Sequence, residues 1–208
     1  MQRFGIMMQL VLFCFASAMA LLAQTITSLD YPGALATTAF AINDSGVITG
    51  IYGDTNKVAH FYVRSNTGTY TSVDVPGASP AAPGMGINKS GVIAGYDTDA
   101  NKVHHGFVRT AAGAITTFDA PGAGKLSNQG TFVSGINNAG TIVGWYFDSN
   151  NKHHGYVRSK AGKITTFEVK GSGPTGTAPA SINSAGTVAG TWRDTHGVWH
   201  GFMRTASC

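Results

Sequence analysis

Charge is scarce in this chain: Asp, Glu, Lys and Arg make up 12% of its 208 residues, about half of the usual ~25%. The formal net charge of +4 is thinly spread, with no cluster of Lys or Arg. That excludes the concentrated basic footprint that nucleic-acid binding requires. Cysteine is nearly absent, and of Cys14 and Cys208 only the second lies outside the N-terminal apolar stretch. A disulfide framework within the mature chain is therefore excluded, leaving Cys208 free or available to a second chain. No apolar run approaches the ~20 residues that span a bilayer. The longest, residues 6–15 (IMMQLVLFCF), is too short. Acids number only 10, and neither a Gly-x-Ser-x-Gly elbow nor a His-Glu-x-x-His helix occurs, so the common hydrolase signatures are missing. The two carboxylates that flank a sugar in glycosidases have few candidates, because most of the acids occupy repeat positions. The chain reads as non-enzymatic, with no cofactor and no metal.

The N-terminus carries Arg3, the short apolar run, and then small residues at Ala18-Met19-Ala20 and again at Leu21-Leu22-Ala23. This order describes a secretory signal peptide over residues 1–23. The expected product is an exported chain, residues 24–208, secreted or periplasmic, without a membrane span. Its length suffices for one domain with a proper core.

Glycine is abundant at 28 residues, and Thr, Ser, Asn and Ala fill much of the rest, a composition that starves helices and suits short strands and tight turns. Internal periodicity gives the organisation. Ile42-Asn43-Asp44-Ser45-Gly46-Val47-Ile48-Thr49-Gly50 returns as residues 87–95, 136–144 and 182–190, with Asn88, Asn137 and Asn183 at steps of 45, 49 and 46. Each block is followed by an Asp (Asp54, Asp99, Asp148, Asp194), six positions later by a His (His60, His105, His154, His200), and four later by an Arg (Arg64, Arg109, Arg158, Arg204). The Asn-x-x-Gly step supplies a turn former and a residue for positive φ between two strands. Alternation in His-x-aromatic-x-Arg marks a third strand, and Ile115-Thr116-Thr117-Phe118-Asp119 and its counterparts a fourth.

Four strands in ~46 residues is the size of a propeller blade. The expectation is an all-β fold, a small propeller of four four-stranded blades, with repeats at residues 35–78, 79–123, 124–172 and 173–208 plus 25–34. The fourth-strand sequence is absent after the last repeat but occurs before the first as Thr25-Ile26-Thr27-Ser28-Leu29-Asp30. This N-terminal strand is expected to close the last blade, protecting its edge. A half-ring that dimerises and an open β-repeat array are the alternatives.

With the motif in hand, the repeat resembles the HAF-type extracellular repeat of bacterial secreted proteins. The resemblance rests on the Ile-Asn-x-x-Gly-x-x-x-Gly core and on His60-Phe61-Tyr62, His105-Gly106-Phe107, His154-Gly155-Tyr156 and His200-Gly201-Phe202. This chain prefers Gly at the middle position, where the family has the Ala that names it. The resemblance implies an exported β-repeat protein and attaches no activity to it.

The Asp–His pairs are the obvious candidates for chemistry. Because they recur in every repeat, they read as structural ties of each hairpin, whereas an asymmetric ligand needs an asymmetric site. Asp97-Thr98-Asp99-Ala100-Asn101 alternates oxygen ligands as a calcium loop does, but lacks the later Gly and Glu and reads as a solvated turn. What differs between repeats is the better place for binding. Tyr96, Trp145, Trp192 and Trp199, with Asn128 in a variable linker, form the expected ligand-binding set, suited to an extracellular glycan or cell-surface polymer. The other reading is a structural, self-associating scaffold.

Overall fold

The computed structural model describes residues 25–78 and 84–205. The segment expected to be a signal peptide, its expected cleavage positions and both cysteines lie outside the described residues. Every helix or strand among the described residues is a strand, and no helix there is long and apolar enough to cross a membrane.

The fifteen strands fall into four consecutive antiparallel units, in register with the sequence repeat. The first holds β1 (Ala36–Ile42), β2 (Ile48–Gly53), β3 (Ala59–Arg64) and β4 (Tyr70–Val73). The second holds β5 (Gly84–Ile87), β6 (Ile93–Thr98), β7 (His104–Arg109) and β8 (Ile115–Phe118). The third holds β9 (Gly130–Ile136), β10 (Ile142–Phe147), β11 (His153–Arg158) and β12 (Ile164–Phe167). The last has three strands, β13 (Ser172–Ile182), β14 (Val188–Asp194) and β15 (Trp199–Arg204).

Local chemistry explains the hairpins. Asn43 Oδ1 accepts the amides of Ser45 and Val47 at 3.1 and 3.0 Å, and Gly46 takes φ 78°, a left-handed turn in which a Cβ would be strained. At the second turn Asp54 Oδ1 accepts the amides of Asn56 and Val58 at 2.9 and 2.8 Å. Every innermost strand then slips register, for instance between Ala39 and Ala41 and between Pro179 and Ser181. Such a bulge re-aims the side chains that follow it.

Units meet through packing, one row of side-chain amides and isolated backbone bridges. Phe61, Val73 and Val75 of the first bury against Ile87, Ile93 and Phe107 of the second. Ala94 and Ala120 continue into Val133, Ile142, Tyr146 and Tyr156 of the third. Asn43 Nδ2 donates to the Asn88 carbonyl, Asn88 to that of Asn137, and Asn137 to that of Asn183, at 3.1, 3.4 and 3.0 Å. Single parallel bridges, His104 with Gly130 and His153 with Gly176, are the only strand pairing between units among the described residues.

The expected four-bladed ring does not form. Among the described residues β1 pairs only with β2, and β15 only with β14. Residues 25–30 carry no strand, and Ile26 is 89% exposed. The turn closed by Ala34 N–H to Tyr31 O (3.1 Å) and the stacking of Tyr31 on Tyr52 (3.5 Å between centroids, 4°) hold residues 31–34 against the first unit. Among the described residues the units form a curled β-repeat array whose two end strands stay unpaired with each other.

Candidate functional site

The feature that breaks the repetition is an aromatic row across the second and third units. Phe132 of β9 lies directly opposite Trp145 of β10, and their rings stack at 4.1 Å and 10°. His153 stacks on Trp145 at 4.7 Å. Tyr96 of β6 and His104 of β7 approach Phe132 from the preceding unit at 5.1 and 4.3 Å. Burial pulls His104 and His153 below the ordinary imidazole value, so both rings are neutral at neutral pH. Beside the row opens a groove of about 360 Å³, where Tyr96, Phe132 and Trp145 face Ser134, Pro179 and Thr191. No Asp, Glu, Lys, Arg or His lines it. Ser134 Oγ donates to the Pro179 carbonyl at 2.7 Å and keeps its lone pairs for a ligand donor.

Of the five residues expected to bind, only Tyr96 and Trp145 share this groove. Trp192 stacks on His200 at 4.5 Å in the last unit. Trp199 is 56% exposed, with the Arg193 guanidinium 5.7 Å from its ring centre. Asn128 sits in a left-handed turn (φ 65°), exposed, its amide donating to the Lys102 carbonyl at 2.7 Å. Phe132 is the contributor that sequence reasoning missed. Its register equivalents are Thr38 and Ala178, so a difference existed, but one visible only once the bulge at Ser134 sets the pairing.

The Asp–His pairs lie elsewhere, one per unit. Each Asp commits Oδ1 to two hairpin amides, as with Asn101 and Val103 on Asp99 at 2.8 Å each. Oδ2 faces the His Nε2 at 3.5, 3.7, 3.1 and 3.2 Å in the four units. Hydrogen bonds from the amides of Val58, Val103 and Val198, aided by the His rings, hold Asp54, Asp99 and Asp194 below the usual carboxylate range. Asp148 is held low as well, the Lys152 amide and His154 outweighing its burial. On the other ring nitrogen the first three His residues meet a fourth-strand acid: Asp74 at 3.9 Å, Asp119 at 2.8 Å, and Glu168. Each His thus contacts a turn Asp already engaged by backbone amides, and in the first three units a fourth-strand acid as well, an arrangement that ties turns together.

The second unit departs from the others at one position. Tyr52, Tyr146 and Trp192 stack on their His rings, whereas the same register position here is Asp97. Asp97 is 3% exposed, and burial pushes its carboxyl up to about 6. Its cross-strand partner His105 lines a cleft of about 570 Å³ together with Asp99, Asp119 and Lys125. Among the described residues no group of three or more His, Cys, Asp or Glu is arranged to hold a metal ion.

No protein-family model and no curated protein matches the chain. Among solved structures it is similar to a variant of AofleA from Arthrobotrys oligospora (13% identity, 83% of this chain and 56% of that one, TM-score 0.47). It is also similar to a streptogramin B lyase (12%, 82% and 69%, TM-score 0.48). A third is an Aleuria aurantia lectin variant in complex with alpha-methyl-L-fucoside (19%, 82% and 63%, TM-score 0.41). The chain thus spans between 56% and 69% of the length of these structures. At these values the likeness assigns no ligand and no reaction.

Proposed function

We propose that the chain is an exported, non-enzymatic module that binds a neutral glycan in the groove between Tyr96, Phe132 and Trp145. The observation that carries this reading is the lining: aromatic rings, a proline and two hydroxyls, with no ionisable side chain. Trp145 is clamped between Phe132 and His153 and so presents the edge of its indole. Ring edges carry the positive part of the aromatic quadrupole and meet hydroxyl oxygens, while Pro179 and the flanking ring surfaces take the C–H patches of a sugar. Ser134 and Thr191 complete the hydrogen bonding at the groove wall. A small, mostly apolar concavity with a few convergent polar groups is the form that binding sites commonly take. Export rests on the leader at residues 1–23 and on the HAF-type resemblance.

The test is thermal unfolding against a panel of neutral and acidic glycans. A ligand at 100 times its Kd stabilises the folded chain by about 2.7 kcal/mol, visible as a rise in Tm. The expected result is a rise with one neutral sugar class that Tyr96→Ala and Trp145→Ala both abolish, while Trp199→Ala leaves it intact. A flat panel overturns the reading.

A further inference from the structure

We propose that residues 25–30 of one copy of this chain add as a fourth strand to the edge of β15, unpaired among the described residues, of a second copy, joining the two head to tail. This goes beyond glycan binding and stands on different residues.

The segment and the vacancy match position by position. Ile26-Thr27-Ser28-Leu29-Asp30 repeats Ile115-Thr116-Thr117-Phe118-Asp119 and Ile164-Thr165-Thr166-Phe167-Glu168. In the middle units these strands pair with β7 and β11 in one register, Gly106 with Phe118 and Gly155 with Phe167, Arg109 with Ile115 and Arg158 with Ile164. Transferred to the last unit, that register sets Gly201 opposite Leu29, Met203 opposite Thr27 and Arg204 opposite Ile26. Gly106 and Gly155 are roofed by the phenyl rings: a Cβ there would fall 2.5 Å from Phe118 and 2.8 Å from Phe167. Gly201 has no such roof, its nearest atom being a backbone oxygen 4.0 Å from a Cβ. Met203 is 73% exposed, and Phe202 is partly exposed where Phe107 and Tyr156 are fully buried.

Three polar features call for the same partner. His60, His105 and His154 each meet a fourth-strand acid; His200 meets none among the described residues, and Asp30 is the acid of the spare segment. The row of Asn amides runs Asn43 to Asn88 to Asn137 to Asn183, and the same step carried on would bring Asn183 to the Asn43 carbonyl of the next copy. The approach to β1 is also built as an internal linker. Tyr31-Pro32-Gly33-Ala34 makes the turn that residues 75–78 and 120–123 make between units (Ala78 N–H to Val75 O, Ala123 N–H to Ala120 O). Tyr31 N–H donates to Thr37 Oγ1 at 2.9 Å, as Ala120 N–H donates to Thr131 Oγ1. The segment therefore leaves the first unit along the path by which an internal fourth strand enters the unit after it. The first and last units of one copy do not pair with each other among the described residues, and residues 25–30 carry no strand, so the edge they meet is assigned to another molecule. An unpaired strand edge is a ready template for such pairing, and a repeated head-to-tail contact closes into a ring or extends as a filament.

The test uses the exported chain with Cys208→Ser and one added cysteine, Thr27→Cys in one preparation and Met203→Cys in another. Opposite residues of an antiparallel pair lie within disulfide reach. Mixed and oxidised, the two are expected to give a cross-linked pair that neither gives alone, and light scattering of the parent chain is expected to show an assembly larger than one copy. Leu29→Asp weakens that assembly about tenfold or more. It leaves the unfolding curve of the separated chain unchanged, because residues 25–30 pair with no strand there. A cross-link that forms only within a chain carrying both cysteines overturns the proposal in favour of self-closure. A single copy at every concentration, with no cross-link in the mixture, overturns it outright.

Discussion

The middle of the array and its two ends are written in the same repeat yet behave as different materials. Ile87 in β5 is 9% exposed, whereas its counterpart Ile42 in β1 is 65% exposed. The glycine of β11 lies beneath a phenyl ring and that of β15 lies open. Asn88 and Asn137 are buried and donate onward to the next unit, while Asn183 is exposed. A repeat of this kind supplies only half of each interface, so its stability comes from neighbours and falls away where neighbours stop.

The sharpest way to break the comparison is to remove equivalent amides. Asn137→Ala loses the bond to the Asn183 carbonyl and the two it accepts from Ala139 and Thr141. In a buried position it is expected to cost about 2–4 kcal/mol. Asn183→Ala, on the exposed end, is expected to cost about 1 kcal/mol or less. Urea unfolding of both variants checks the pair, and equal losses would show that the ends are as tightly held as the middle.

Glycines give the next contrast. Gly155→Ala drives a methyl into Phe167 and Pro179, at 2.8 and 2.9 Å, and is expected to destabilise by roughly 1–3 kcal/mol. Gly201→Ala meets open space in the separated chain and is expected to leave its Tm nearly unchanged.

Asp97 sharpens the comparison within the middle itself. Its folded value, raised to about 6 by burial, exceeds that of an unfolded carboxyl. The folded state therefore loses stability as pH rises from about 4 through 6. Asp97→Asn is expected to stabilise by roughly 1–2 kcal/mol at pH 7.5 and to be neutral at pH 3.5, where both states hold the proton; paired thermal melts decide it. His105 contributes a smaller effect. Against its burial, Asp119 raises it above the ordinary imidazole value. That stabilisation is fully present below about pH 6.5 and is lost as pH rises through the raised folded value. His105→Gln is expected to remove this segment of the stability–pH profile, read by melting both proteins from pH 6 to 8.

Strand content, period and hairpins were legible in the chain because each rests on chemistry a few residues wide. Asn43 and Asp54 close their own turns, and alternation in β7 and β11 needs no distant partner. The likeness of residues 25–30 to β8 and β12 was legible too. It identifies the position that such a strand fits and is silent on whose edge it meets, since that depends on whether the first and last units, more than a hundred residues apart, come together. The groove was half legible: Tyr96 and Trp145 stood out as departures from the repeat, but Phe132 joins them only through a register slip. Trp192 and Trp199 were just as conspicuous and lie away from the groove, because a large aromatic in a strand says nothing of which face it takes.

The row of Asn side chains has a direction. Every link gives its proton toward the later unit and takes one from the earlier, so the units are threaded like arrows of one sense. A whole repeat duplicated in tandem would meet an acceptor ahead and a donor behind, and would extend the thread without a break. A repeat inserted in reverse would set amide against amide. Growth by tandem duplication is thus open to this architecture, and inversion is closed to it.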